Sequence, residues 1–215
     1  MYNIQTYIPN YKKATHIDFY NLGKVISLFH SETQRIQGII EQVDRFSLGS
    51  MWESLKYDSD FAQVNFRRQL EVMVEKSIGC QHENNCFIHG DLATWNIITN
   101  DKNIYIIDFG EVRRENNHFD ISALISSFIN IEESEEKITT SLTNFREGYI
   151  ENFAQFDWIL LSENLNIWST RGVIALLVHN GIDSRTCKMV NKIIEDQARL
   201  NNIIRRLAAK YQGGK

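Results

Sequence analysis

The stretch from Phe87 to Gly110 constrains the fold most, because short β-branched runs replace helical periodicity there. The runs are Phe87-Ile88, Ile97-Ile98-Thr99 and Tyr105-Ile106-Ile107. The polar segment Asn100-Asp101-Lys102-Asn103 is typical of the turn in a hairpin, so we expect it to join the last two runs. The sequence therefore predicts a small β insertion in the middle of an otherwise helical chain.

A long helix is predicted before this insertion. Its apolar residues follow the i, i+3, i+4, i+7 spacing of one helix face, at Leu22, Val25, Ile26 and Phe29. Thr15 and Asp18 have the spacing of a capping box, so we expect the helix to run from about 16 to 36. Upstream, Tyr2 to Ile8 alternates like a strand and leads into a polar connector at 9–13.

Further helices are predicted on both sides of the insertion. One should run from about Asp60 to Ser77, and the chain reads as helical from Asp120 onward. Trp158 to His179 is largely apolar and is expected to form one or two helices, followed by an amphipathic terminal helix. The predicted fold class is α+β and mainly α-helical, with a small β-hairpin insertion.

Three oxygen-bearing side chains lie where the predicted strands begin or end. Asp91 follows the first strand, Asn96 begins the next, and Asp108 ends the last. Phosphoryl transfer from ATP needs a carboxylate that takes the proton of the acceptor hydroxyl, and oxygen ligands that hold Mg²⁺. A single H-G-D or D-F-G motif can be a simple turn. The spacing D-x4-N, strand, turn, strand, D-F-G is typical of the catalytic and metal loops of kinases.

With these motifs in place, a family resemblance can be stated. The segment from Phe87 to Ser126 resembles the C-lobe core of the aminoglycoside phosphotransferase and choline kinase family, which has a protein-kinase-like fold. The resemblance is carried by His89-Gly90-Asp91-Leu92-Ala93-Thr94-Trp95-Asn96-Ile97-Ile98 and by Asp120-Ile121-Ser122 downstream. The helix containing Leu22 to His30 is similar to the family's helix after the interlobe hinge.

The resemblance implies roles for residues of the two loops. Asp91 would be the catalytic base, and Asn96 and Asp108 would bind Mg²⁺ and, through it, the nucleotide. His89 would hold the catalytic loop and the metal loop in register by hydrogen bonds. The implied cofactors are therefore ATP and Mg²⁺, and the implied activity moves the γ-phosphate to a hydroxyl of a small molecule.

The resemblance also implies supporting and adenine-binding roles. Asp120 would cap a helix at 121–130 and accept hydrogen bonds from the catalytic-loop backbone. Tyr2 to Ile8 would be the hinge strand whose backbone meets the adenine edge. Ile98 and Ile107 would form part of the adenine floor, although burial in the core is an equally good interpretation of both.

Two features depart from the family pattern. Phe109-Gly110 after Asp108 is closer to the protein-kinase spelling, which keeps a protein-serine kinase open. No upstream glycines form a glycine-rich loop, and no lysine lies in an upstream apolar strand. We therefore expect 1–10 to be the remnant of a hinge strand and 11–215 to be a C-lobe with its catalytic core at 87–126, without an N-lobe.

This expectation leaves three possibilities open. The chain could be a fragment, or another subunit could supply the missing lobe. It could also be a pseudokinase-like binding module without catalysis. The small-molecule acceptor is not readable from the sequence. Glu132, Glu133, Glu135 and Glu136 would suit a cation but are more typical of a solvated helix end, and Trp158 and Trp168 could stack on a ligand but are more often core.

Charge and cysteine content exclude some function classes. The net charge of −4 argues against a general nucleic-acid or anionic-membrane binder, and no apolar run is long enough to span a bilayer. The absence of signal-peptide features and of a C-x-x-C motif predicts a reduced, cytoplasmic protein. Cys80, His82, Cys86 and His89 cluster, but their spacing matches no common zinc pattern, which favours ordinary thiols.

Overall fold

The computed structural model describes residues 8–14, 17–38, 47–80, 82–100 and 103–212. In this part of the chain the helices are α1 (Phe19–Gln34), α2 (Leu48–Leu55), α3 (Arg67–Gly79), α4 (Asn117–Phe128), α5 (Glu135–Tyr149), α6 (Trp158–Asn180) and α7 (Ser184–Gln212). The strands are β1 (Lys12–Lys13), β2 (Cys86–Ile88), β3 (Ile97–Thr99), β4 (Ile104–Ile106) and β5 (Arg113–Glu115). The prediction of a mainly helical α+β fold with a small β insertion is confirmed.

The strands form two small antiparallel sheets. One has the order β1-β3-β4, with Ile98 paired to both Lys13 and Tyr105, and the other pairs β2 with β5. The predicted hairpin is β3-β4, but β4 ends at Ile106, so Ile107 lies beyond the strand. The predicted strand at Tyr2 to Ile8 lies outside the described residues except for Ile8.

Two strands were not predicted because their sequences are charged. β5 consists of Arg113-Arg114-Glu115, which lacks the β-branched residues that mark a strand. β1 lies within the segment interpreted as a polar connector at 9–13. In both cases the strand is formed by backbone hydrogen bonds to a neighbouring strand. The side-chain pattern gives no indication of this pairing.

The beginning of α1 differs from the predicted one. α1 begins at Phe19, and the Asp18 carboxylate accepts a hydrogen bond of 2.9 Å from the backbone N–H of Asn21. Asp18 is therefore the N-cap, since it satisfies a backbone donor that lacks a partner within the helix. Thr15, the other member of the predicted capping box, lies outside the described residues.

The single helix predicted from about Asp60 to Ser77 is wrong. The chain forms a short 3₁₀ helix at Phe61–Gln63 and then α3, which begins at Arg67. The Asp58 carboxylate accepts hydrogen bonds from the backbone N–H groups of Asp60 and Phe61, which turns the chain there. The short helix α2 was not predicted.

The long apolar helix α6 lies between two hydrophobic cores. It is one helix, which begins after the N-cap Asp157 and ends at Gly181, where φ is 78°. Its first half packs with α1, α4, α5 and α7, and its second half packs with α2, α3 and the start of α7. None of the described helices combines the length and apolarity needed to cross a membrane.

Two glycines bring α1 and α5 into backbone contact. A Cβ at Gly23 would overlap the carbonyl oxygen of Phe145, and a Cβ at Gly148 would overlap that of Tyr20. Only glycine permits so close an approach without displacing a helix. The contact places the ends of the two helices, with His30 and Tyr149, directly beside the β insertion.

Candidate active site

The loop between β2 and β3 carries the predicted catalytic residue. Gly90 has a φ of 84°, and a Cβ there would overlap the carbonyl oxygen of Glu111 and the Arg113 side chain. Glycine therefore lets the loop turn sharply against the segment that follows β4. Asp91 comes next in the chain and is half-buried, at the edge of an open cleft.

The Asp91 carboxylate is oriented by its own loop. Its Oδ2 atom accepts hydrogen bonds from the Trp95 indole N–H at 3.0 Å and from the Asn96 amide at 3.1 Å. The Asn96 amide also donates to the Asp91 carbonyl oxygen at 2.8 Å. Among the described residues none donates to the second carboxylate oxygen, so Oδ1 is the atom left to meet a ligand. Sequence reasoning missed Trp95. About half of its surface is exposed, and no motif marks it.

Asp108 lies beside Asn96 in a strained backbone conformation. Its φ is 65°, in the left-handed region that non-glycine residues rarely adopt. The preceding residue, Ile107, donates a backbone hydrogen bond of 3.1 Å to the Asn96 carbonyl oxygen. This bond ties the end of the hairpin to the start of β3. Asp108 lines the cleft, whereas Asn96 is buried and hydrogen-bonded to Asp91. Such strain is typical of functional sites.

His89 connects the catalytic loop to the loop that carries Asp108. The buried ring donates from Nε2 to the Ile107 carbonyl oxygen at 2.8 Å. Its Nδ1 atom accepts a hydrogen bond of 3.3 Å from the Asp91 backbone N–H. Because the carbonyl can only accept, the ring is the Nε2–H tautomer if neutral. The Phe109 ring packs against the His89 ring at 5.2 Å, centroid to centroid.

Asp120 supports the catalytic loop but does not cap a helix. Its two carboxylate oxygens accept the backbone N–H groups of His89 at 2.7 Å and of Gly90 at 2.9 Å. The predicted N-cap role is wrong, because α4 begins at Asn117 and the side chain of Asn116 caps it by accepting the His118 N–H. Asp120 therefore lies inside the first turn of α4, where its side chain is free to face the loop.

A buried chain of hydrogen bonds holds Asp120 from below. His30 contacts Asp120 through Nε2 at 3.1 Å and the Tyr149 hydroxyl through Nδ1 at 2.6 Å. The Tyr149 oxygen accepts from the Asn117 amide at 2.8 Å, so its own hydrogen is free to point to His30. His30 then donates from Nε2 to Asp120. Sequence reasoning found none of these partners, although His30 ends the helix segment that resembles the family.

This environment keeps Asp120 ionised. Burial alone would raise the pKa of Asp120, but the hydrogen bonds from the His30 ring and from the His89 backbone N–H lower it below its usual range. Burial raises the pKa of Tyr149 well above its usual range, so Tyr149 remains a neutral hydroxyl. The loop is therefore supported from below by the ionised Asp120 carboxylate, which accepts hydrogen bonds from His30 and from the backbone of His89 and Gly90.

The cleft has a volume of about 530 Å³ and opens between the two loops and α6. Asp91, Asp108 and Trp95 lie on the loop side. The opposite wall contains mostly apolar or small residues, together with one guanidinium: Met51, Trp168, Arg171, Gly172 and Ala175. The edge of the Trp168 ring packs on Phe119, and the Arg171 guanidinium lies 5.0 Å from the centre of the same Phe119 ring.

The aromatic and acidic candidates for acceptor binding fall in different places. Trp168 lines the cleft, whereas Trp158 is buried in the core against Phe156. Of the predicted acidic residues, three form surface ion pairs outside the cleft: Glu132 with Lys192, Glu133 with Lys137 and Glu135 with Arg206. The solvated helix end is therefore the correct interpretation of that acidic run.

Ile98 and Ile107 do not line this cleft. Ile98 is buried in β3, where it pairs with Lys13 and Tyr105. Ile107 is half-buried. Its backbone N–H donates to the Asn96 carbonyl oxygen, and its carbonyl oxygen accepts from the His89 ring. Whether these side chains meet an adenine ring stays a prediction, as does the role of Tyr2 to Ile8, of which only Ile8 is described.

Comparisons with known proteins extend these observations. Residues 28–158 match a family model described as "Phosphotransferase enzyme family". No curated protein matches the chain. The fold is similar to that of an amicoumacin kinase in complex with AMP-PNP, Ca²⁺ and Ami, at a TM-score of 0.67 and 17% identity over 91% of this chain and 63% of that one.

Two further solved structures share the fold. A choline/ethanolamine kinase family protein from Mesorhizobium loti has a TM-score of 0.54 at 12% identity, covering 93% of this chain and 72% of that one. A spectinomycin phosphotransferase in complex with ADP and spectinomycin has a TM-score of 0.55 at 16% identity, covering 85% and 64%. The chain thus spans less than two thirds of the length of the amicoumacin and spectinomycin enzymes.

Proposed function

The chain belongs to the phosphotransferase enzyme family, and we propose that it transfers the γ-phosphoryl group of ATP to a hydroxyl of a small molecule. One observation carries the proposal: Asp91, Asn96 and Asp108 lie on two loops that His89 joins, and both loops open on one cleft. These are the side chains that phosphoryl transfer needs, namely a base and oxygen ligands for a metal ion.

Asp91 is the proposed base. Its Oδ2 atom is held by Trp95 and Asn96, which leaves Oδ1 to accept the proton of the acceptor hydroxyl. The acceptor oxygen then forms a bond to the γ-phosphorus while the bond to the β–γ bridging oxygen breaks, and ADP leaves. General-base help of this kind is typically worth about 10²–10⁴-fold in rate.

The donor atoms at Asn96 and Asp108 fit Mg²⁺. The Asn96 amide nitrogen is used by Asp91, so its Oδ1 atom is the one available as a ligand. Asp108 adds an exposed carboxylate, and hard oxygen atoms are the ligands that Mg²⁺ prefers. When bound between Asn96 and Asp108, Mg²⁺ would supply positive charge that offsets the negative charge of the phosphates. The similar amicoumacin kinase structure contains AMP-PNP and Ca²⁺, which supports a nucleotide and a divalent ion here.

The acceptor class follows from the α6 wall of the cleft. Trp168, Gly172 and Ala175 offer an aromatic ring beside a flat, small-residue surface, and Arg171 is a neighbouring cation. The acidic run at 132–136 is outside the cleft, and the carboxylates that line the cleft are Asp91, Asp108 and Glu111. We propose an acceptor with a planar or apolar face, whose hydroxyl reaches Asp91.

The test uses γ-labelled ATP, Mg²⁺ and a panel of small hydroxyl compounds, with the natural gene product. Asp91→Asn should lower transfer by about 10³-fold without changing the melting temperature or Mg·ATP binding. Asp60→Asn, which changes an exposed carboxylate outside the cleft, is the matched control and should behave as wild type.

Other outcomes of this test would contradict the proposal. Unchanged turnover in Asp91→Asn would remove Asp91 as the base. If Mg·ATP neither raises the melting temperature nor supports transfer, the pseudokinase-like binding module is the better description. Label found in protein rather than in a small molecule would identify a protein kinase.

A further inference from the structure

Three side chains of the types that bind metal ions meet outside the cleft. Cys80 directly follows α3, His82 lies in the segment that leads into β2, and Glu163 lies on α6. The thiol sulfur, one imidazole nitrogen and one carboxylate oxygen all lie within 4.8 Å of one another. Each residue is half-buried, so the cluster is partly screened from water.

The distance between His82 and Glu163 suits a shared ion better than a direct bond. His82 Nε2 lies 3.7 Å from the nearer Glu163 oxygen, which is too far for a hydrogen bond. Ligand atoms at metal distances of 2.0–2.3 Å in a tetrahedral site lie about 3.3–3.8 Å apart. The longest separation in the cluster would need to shorten by about 1 Å, which side-chain rotation can supply.

The His82 ring provides a second, independent observation. Its Nε2 atom is buried, and no hydrogen-bond partner for it exists among the described residues. A buried ring nitrogen without a partner costs free energy unless an ion or a water fills its place. The atom lies beside both the Cys80 thiol and the Glu163 carboxylate.

We propose that Cys80, His82 and Glu163 bind Zn²⁺ or a closely similar transition-metal ion, with water as the fourth ligand. Thiolate and imidazole favour such an ion over Mg²⁺ or Ca²⁺, which prefer oxygen atoms alone. The site differs from the four-residue cluster considered in the sequence. Cys86 is buried in β2 and His89 is bonded to Ile107, so neither joins it, and Glu163 from α6 does.

Such an ion would tie the entrance of β2 to α6. β2 leads directly into the catalytic loop, and Trp168 lies five residues after Glu163 on the same helix. An ion bound to the folded state alone raises stability in proportion to the logarithm of its concentration over Kd. The expected role is structural, and the site stands or falls independently of phosphoryl transfer.

The test titrates ZnCl₂ into the chelator-treated full-length protein, followed by calorimetry and by melting temperature. Wild type should bind one ion at micromolar Kd or tighter and melt at a higher temperature. Cys80→Ser, His82→Gln and Glu163→Gln should each weaken binding at least tenfold. Cys187→Ser and His179→Gln change a half-buried thiol and an exposed imidazole elsewhere, and should bind as wild type.

Two further readouts use the unmodified protein, in case a variant does not fold. Co²⁺ in place of Zn²⁺ should give a thiolate-to-metal charge-transfer band. Zn²⁺ should also protect Cys80, but not Cys187, from alkylation. The proposal is wrong if wild type shows no Zn²⁺-dependent shift, if affinity is the same in all three ligand variants, or if Zn²⁺ leaves Cys80 as reactive as before.

Discussion

The two sides of the catalytic loop are built differently. On the buried side, His30, His89 and Asp120 have no exposed surface, and each ring nitrogen and carboxylate oxygen has a hydrogen-bond partner. On the cleft side, Asp108 is exposed and Trp95 is 53% exposed. The buried side fixes the position of the loop that carries Asp91, and the open side determines which ligands can reach Asp91. Stability and chemistry should therefore respond to different substitutions.

The largest effect is expected for Asp120→Ala, on the buried side. The change leaves His30 and the N–H groups of His89 and Gly90 without their acceptor. Removing one partner of a buried charged network typically costs about 3–5 kcal/mol. Urea unfolding measures the loss, and Asp60→Ala should cost less than about 0.5 kcal/mol. A loss below about 1 kcal/mol for Asp120→Ala would show that the buried network is not what holds the loop.

Glycine-to-alanine substitutions should change the free energy of unfolding in opposite directions in the buried interior and at the cleft. Gly148→Ala would force a Cβ into the Tyr20 carbonyl oxygen and is expected to cost about 2 kcal/mol or more. Gly172→Ala lies in the middle of α6 at the cleft, where a Cβ meets nothing within 4 Å, and should stabilise the helix by up to about 1 kcal/mol. Thermal unfolding compares the two. Equal changes in stability for Gly148→Ala and Gly172→Ala would contradict the difference between the buried interior and the cleft.

The buried side should also make stability depend on pH. Burial lowers the pKa of His118 to about 3. The unfolded histidine has a pKa of about 6.5 and binds a proton that the folded one does not, so stability falls as pH drops from about 6.5 toward 3. The slope should approach about 1.4 kcal/mol per pH unit.

Two variants distinguish the contribution of His118 to the pH dependence of stability from that of other groups. His118→Gln should remove most of the slope between pH 6.5 and 4, whereas His179→Gln, at an exposed position, should keep it. The depressed pKa of Asp120 acts at lower pH, because its stabilising contribution is lost only as pH falls below about 3.9 through the folded pKa. An unchanged slope in His118→Gln would show that His118 is not buried neutral.

The smallest effect is expected on the cleft side, for Trp95→Phe. This change removes one of the two hydrogen bonds on Asp91 Oδ2, worth about 1 kcal/mol or about fivefold in kcat. The melting temperature should stay the same, because the Trp95 ring is largely exposed. Trp158→Phe is the matched control and should lower stability without lowering kcat. If Trp95→Phe lowers stability instead, Trp95 belongs to the supporting side.

The sequence predicted the loop residues and the support from His89 and Asp120, but not the partners that hold Asp120 from below. Asp91, Asn96 and Asp108 are close in the chain, and the hairpin that groups them is local, so their motif is readable. His30 and Asp120 are 90 residues apart, and His30 and Tyr149 are 119 apart. Such contacts form only when α1, α4 and α5 pack, and they leave no periodic pattern. The α6 wall was equally hidden, since Trp168 at a helical spacing is indistinguishable from a core residue.

The position of α6 also bears on how such a chain can diversify. Val173 and Leu177 anchor its second half in the core formed with α2 and α3, while Trp168 and Gly172 on the same helix face the cleft. Because the helix is continuous, a substitution that repacks that core is expected to shift the cleft wall. If the proposed function is correct, mutations that never touch the catalytic loop can therefore change which acceptor fits, while Asp120 and its partners stay the same.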